Sequence, residues 1–158
     1  MSETKTVTDA AAPAQASRLA RLRAASLGAV VMLILQFILG MIYNLYGTAP
    51  TTEKPIGLFS SPVIALHVIL GILLFIVAVV LLVRAIQARH KLSIWMAAIG
   101  LLSILGAGFA GLGFSGSGAN SASLGMALAF AVALACYIVL VFALAPLGAT
   151  PSEHASTT

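Results

Sequence analysis

The chain has 158 residues, 61% of them apolar and only 8% charged, with a formal net charge of +4 and a mean hydropathy of +1.11. A soluble domain carries about 25% charged residues, so this composition cannot cover its apolar surface with polar groups in water. The basic balance does not point to nucleic acid either, because the cations stand at the edges of apolar runs and are not interleaved with polar and aromatic residues on one face.

Residues 1–17 are rich in Ala, Thr and Ser with one Pro. Such a segment buries too little apolar surface to offset its ordering entropy. A disordered tail is expected over 1–20, then a membrane domain over 21–146, and a second disordered tail over 147–158. Within that domain four apolar runs follow, at about 24–46, 62–83, 93–113 and 122–145, with no Asp, Glu, Lys or Arg inside any of them. Each has about 20 residues or more, enough for a helix rising ~1.5 Å per residue to cross a ~30 Å hydrocarbon core. The first is longer than the 7–15 residues of a signal-peptide core and contains Gln36 and Asn44, so it reads as a retained span. The predicted fold is an all-α, four-helix transmembrane bundle.

Topology follows from the flanks. Arg18, Arg21 and Arg23 precede the first span, and Arg84, Arg89 and Lys91 lie between the second and third. Short cytoplasmic segments accumulate Lys and Arg, and two spans separate the clusters, so both fit the same side. Both termini are then cytoplasmic, in a cell (inner or plasma) membrane. Segments 47–61 and 114–121 face outside, the first with Lys54 beside Glu53 and the second uncharged. Tyr43, Tyr46 and Phe59 fall near the outer interface and Trp95 near the inner one, where amphipathic aromatics are enriched.

Each span carries a stripe of small or polar residues three or four apart, hence on one helical face. These are Gln36, Gly40 and Asn44; His67, Gly71 and Ala78, with Leu74 between the last two; Gly100, Ser103, Ala107 and Gly111; and Gly125, Ala129 and Ala133 with Cys136 close by. Lipid is as apolar as Leu, so helices associate through close packing and interhelical hydrogen bonds. Helix packing is therefore expected at Gly40, Gly71, Ser103, Ala107, Gly111, Gly125 and Ala129. Glycines at 106, 108, 111, 113, 116 and 118 predict close packing or a turn at the end of span three, or a backbone-lined ligand site.

Gln36, Asn44, His67, Asn120 and Ser123 fall in the outer half by helical rise. They are the candidate polar cluster, with pairwise helix bonding as its plainer form. His67 is the one ionisable side chain at membrane depth, and such residues are functional candidates. A neutral imidazole can ligate haem iron, with Met126, Met41 or the His67 of a second copy as the other axial ligand. His90 and His154 are expected to be solvated. Cys136 is the single cysteine, which excludes an intramolecular disulfide.

Absences exclude other classes. Proton-coupled export needs a membrane carboxylate and voltage sensing needs membrane arginines. The spans have neither. No catalytic constellation, metal-spaced His/Cys set or phosphate loop is present, so no enzyme activity and no metal site are expected.

The segments "LQFILGMIYNLYGTAP" (35–50), "SPVIALHVILGILL" (61–74) and "LGAGFAG" (105–111) resemble a group of small four-span prokaryotic membrane proteins of unknown function. The resemblance covers the spans and neither tail. It implies an integral membrane protein with no assigned activity. That group tends to place Asn within the Gly-rich stretch, where this chain has Ala110. The expected function is thus a non-enzymatic structural or interaction component of the membrane, without cofactor. Its partners are the bilayer and possible membrane proteins, including a second copy in a homodimer. The alternatives are a haem b electron-transfer module using His67, and a channel or carrier for a small neutral solute.

Overall fold

Ser61 Oγ accepts a hydrogen bond from the Ile64 amide at 3.3 Å, and Pro62 takes the first helical position. A side-chain acceptor followed by a residue lacking an N–H is a strong helix start. This start opens the second of four helices: α1 (Glu3–Tyr46), α2 (Pro62–Ala88), α3 (Lys91–Ser117) and α4 (Asn120–Ala143). The structure is a computed structural model that describes residues 3–145, with side chains from Pro13 onward. No strand occurs among the described residues. All four helices are long and apolar enough to cross a membrane. The fold is an all-α four-helix bundle and defines a multi-pass integral membrane protein.

Helices pack on their chain neighbours, and α4 closes back onto α1. Two links make one end of the bundle. Gln15 Nε2 donates to the Ala88 carbonyl at 2.9 Å, joining α1 to the end of α2. Arg23 Nε donates to the Val141 carbonyl at 3.1 Å, joining α1 to the end of α4. Arg18, Arg21, Arg84, Arg89 and Lys91 share this end, called here the arginine end. The opposite, loop end carries the 47–61 connection and the turn between α3 and α4.

Three expectations are corrected. The disordered tail expected over 1–20 is helical in its described part, and over 13–20 it also packs: Leu19 is buried in the same core as Ala85 and Ala88. Alanine-rich sequence has high helix propensity, and Leu19 and Leu22 supply the apolar face. The turn expected over 114–121 shrinks to Gly118 and Ala119, because α3 continues through Ser117. His90, expected to be solvated, is half-buried and caps α3: its Nδ1 accepts from the Ser93 amide at 3.4 Å and lies 2.9 Å from Ser93 Oγ. The tail expected over 147–158 lies outside the described residues.

The 47–61 connection folds over the loop end. The Ile56 amide donates to the Ser115 carbonyl at 2.9 Å, Tyr43 Oη donates to the Thr48 carbonyl at 2.8 Å, and Pro50 is buried. Gly118 ends α3 with a left-handed φ of 67°, and a Cβ there would meet the Pro50 carbonyl. Glycine serves both needs, since it has no Cβ and adopts positive φ freely.

Burial divides the bundle into unequal halves. Among the described side chains of α1 the buried ones are Leu19, Leu22, Ser26, Ala29 and Leu33, all before residue 34; those of α2 begin at Leu74. Those of α3 end at Ile104, and those of α4 begin at Ala133. All of them lie toward the arginine end. In the loop-end half no helical residue is fully buried.

Candidate functional site

The loop-end half begins where three polar side chains meet three glycines. A Cβ on Gly40 would lie 3.3 Å from His67 Cε1, one on Gly71 would lie 3.1 Å from Gln36 Nε2, and one on Gly100 would lie 2.8 Å from Tyr137 Cζ. Gln36 and Gly40 stand four apart on α1, as His67 and Gly71 do on α2. Antiparallel packing then lays each polar side chain over the other helix's glycine. The absent Cβ atoms let α1 and α2 approach closely, as small residues do between membrane helices.

These same three side chains hold the buried polar atoms that lack a partner among the described residues: Gln36 Oε1, His67 Nδ1 and Tyr137 Oη. Buried polar atoms are usually hydrogen-bonded, and each exception costs about 1–3 kcal/mol. Tyr137 is fully buried at the arginine-end side of this layer, while Gln36 and His67 are half-buried.

The remaining members of the expected polar cluster are not joined to this pair. Asn44 is exposed on α1, Asn120 is exposed at the start of α4 and Ser123 is half-buried. None of their side chains appears among the hydrogen bonds of the described residues. A groove of about 430 Å³ at the loop end is lined by Ile42, Tyr43, Tyr46, Ile56, Ser60 and Val63. It is formed by the end of α1, the connection and the start of α2, and includes none of the predicted cluster.

The candidate axial ligands sit in different places. Met41 is exposed. Met126 packs its sulfur 3.4 Å from where a Gly111 Cβ would be, in the α3–α4 seam, whereas His67 is in the α1–α2 seam. Of the expected packing residues, Gly40, Gly71, Gly111 and Gly125 each have an atom of a neighbouring helix within 4 Å of where their Cβ would be. Gly125 lies 3.7 Å, by its would-be Cβ, from Ala110, and Ser103, Ala107 and Ala129 are half-buried. Phe37 of α1 stacks on Phe130 of α4 at 5.1 Å between centroids. The Gly-rich stretch is regular helix to Ser117, so its amides face helical partners rather than a ligand. Gly106, Gly108 and Gly116 have open space beside them.

Tyr137 is the site residue that the sequence reading passed over. The signal was present: it follows Ala133 by four residues, on the stripe already seen in span four. Comparison with models of known families, with curated proteins and with solved structures finds no match for this chain. What the fold and site define is therefore a class: a four-helix integral membrane protein, packed fully at one end and partly at the other.

Proposed function

We propose that this protein is a non-enzymatic interaction component of the membrane. Its arginine-end half holds the four helices together, and its loop-end half receives a transmembrane partner. One observation carries the reading: full burial of helical residues is confined to the arginine-end half, while the loop-end half keeps half-exposed small residues beside polar atoms of Gln36 and His67 that have no partner among the described residues. Small residues and interhelical polar bonds are the means by which membrane helices associate. Extracted in mild detergent from the cells that make it, the protein is expected to have a polypeptide mass above that of the 16.1 kDa chain. A monomeric mass across a range of mild detergents contradicts the reading.

The proposed orientation places both termini in the cytoplasm of a plasma (inner) membrane. It is supported by Arg18, Arg21, Arg23, Arg84, Arg89 and Lys91 at one end against Lys54 at the other. A Thr52→Cys, Cys136→Ala protein is then labelled in intact cells by an impermeant maleimide; protection of that cysteine reverses the orientation.

A second reading is favoured by His67 Nδ1, which has no hydrogen-bond partner among the described residues. A small ligand, haem b or a neutral solute, enters the loop-end half and bonds to His67 and Gln36. For haem, a dithionite-reduced spectrum with Soret and α bands that vanish in His67→Ala supports it. A featureless spectrum of protein made with ample haem removes it. For a solute, liposomes bearing the protein swell faster than empty ones.

A further inference from the structure

The arginine end carries a depression of about 1000 Å³ that the site above does not use, lined chiefly by Gln15, Arg18, Arg21, Arg84, Arg89 and Ile86. Its residues come from two distant parts of the chain. Arg18 and Arg21 are three apart on α1, hence on one face, and Arg84 and Arg89 flank the last turn of α2. The Gln15 to Ala88 hydrogen bond brings the two helices together at this point.

No carboxylate answers these four cations among the described side chains. The sole acidic residue between Pro13 and Ala145 is Glu53, in the connection at the opposite end. Arg23 belongs to the same end but is bonded to the Val141 carbonyl and does not line the depression. Arg89 adds a backbone observation. It ends α2 in the left-handed region at φ 52°, a position that glycine usually takes. The chain therefore keeps an arginine at this rim where a glycine would be less strained.

We propose that this depression binds the phosphate of an anionic phospholipid headgroup. Guanidinium groups fork phosphate oxygens in pairs, and basic pockets between helix ends are sites for such headgroups. The level is right, because Arg84 directly follows the apolar run of α2, and the exposed Trp95 marks the interface on α3. A lipid fits better than a soluble phosphate, since exposed Ile86, which lines the depression, and exposed Val83, next to Arg84 in the chain, offer apolar surface for an acyl chain.

The test uses the full chain in zwitterionic nanodiscs, titrated with a fluorescent short-chain phosphatidylglycerol. Matched phosphatidylcholine and inorganic phosphate are the comparison probes. Phosphatidylglycerol is expected to saturate one site and to bind about tenfold or more tighter than phosphatidylcholine. Arg84→Gln/Arg89→Gln is expected to weaken it about thirtyfold, from ~1 kcal/mol for each basic residue near the surface. Lys91→Gln, which removes a charge at the same end outside the depression, should leave it within about threefold, and helicity should be equal in all proteins. Equal binding of both lipids overturns the proposal. So does an equal loss in Arg84→Gln and Lys91→Gln singles, which would show diffuse surface charge. Displacement by equimolar inorganic phosphate overturns the lipid in favour of a soluble anion.

Discussion

The imidazole of His67 lies over Gly40, its Cε1 3.3 Å from the position a Cβ would take, and Gln36 returns the arrangement over Gly71 at 3.1 Å. The α1–α2 seam at this level is thus built from two polar side chains, each seated on a residue without one. Enlarging Gly40 should push against a ring. Gly40→Leu is expected to cost about 1–3 kcal/mol, the usual range for overpacking. Gly106→Leu, with open space beside it, should gain up to about 1 kcal/mol of helix propensity. Unfolding midpoints in one detergent check both signs. A midpoint for Gly40→Leu at or above that of the unmodified protein contradicts the seam.

Tyr137 offers a prediction of opposite kind. Its hydroxyl is buried with no partner among the described residues, so Tyr137→Phe removes an unsatisfied group and should be neutral or stabilising by up to about 1 kcal/mol. Gly100→Ala should be harmful, because its methyl would lie 2.8 Å from a ring that is fully buried. A loss of about 1–3 kcal/mol is expected. Thermal melts of the two single variants decide it; a large loss in Tyr137→Phe means that the hydroxyl has a partner in the membrane.

The loop end should loosen when Gly118 changes. Alanine there combines a left-handed φ with a contact on the Pro50 carbonyl, which holds the connection against α3. Gly118→Ala is expected to speed cleavage after Glu53 by a glutamyl endopeptidase several-fold in protein solubilised with detergent, while the helical content stays constant. Unchanged cleavage argues that the Ile56 and Tyr43 hydrogen bonds hold the connection without the close approach of Gly118 to Pro50.

Much of the fold was legible because apolar length and charge placement are linear properties. The four spans, their flanking cations and the small-residue stripes could be read from residue order. The pairing of His67 with Gly40 could not. The identical four-residue spacings of Gln36–Gly40 and His67–Gly71 are visible in the chain, but their mutual register depends on how deeply two helices overlap. Rotation explains the scattered polar cluster: helical rise sets the depth of Asn44 and Asn120, and it carries no information on which way α1 and α4 turn them. The four arginines of the depression were each visible as topology signals. Their convergence appears only when the start of α1 meets the end of α2.

The central claim is that the loop-end half is the face that meets a partner. Photo-crosslinking in native membranes tests it most directly, with p-benzoylphenylalanine placed in turn at Phe109, Leu128, Val83 and Trp95, all exposed. The first two lie in the loop-end half and the last two toward the arginine end. The account predicts discrete polypeptide adducts from Phe109 or Leu128 and lipid-only adducts from Val83 and Trp95. Polypeptide adducts confined to the arginine end, or equal yields from all four positions, would contradict it.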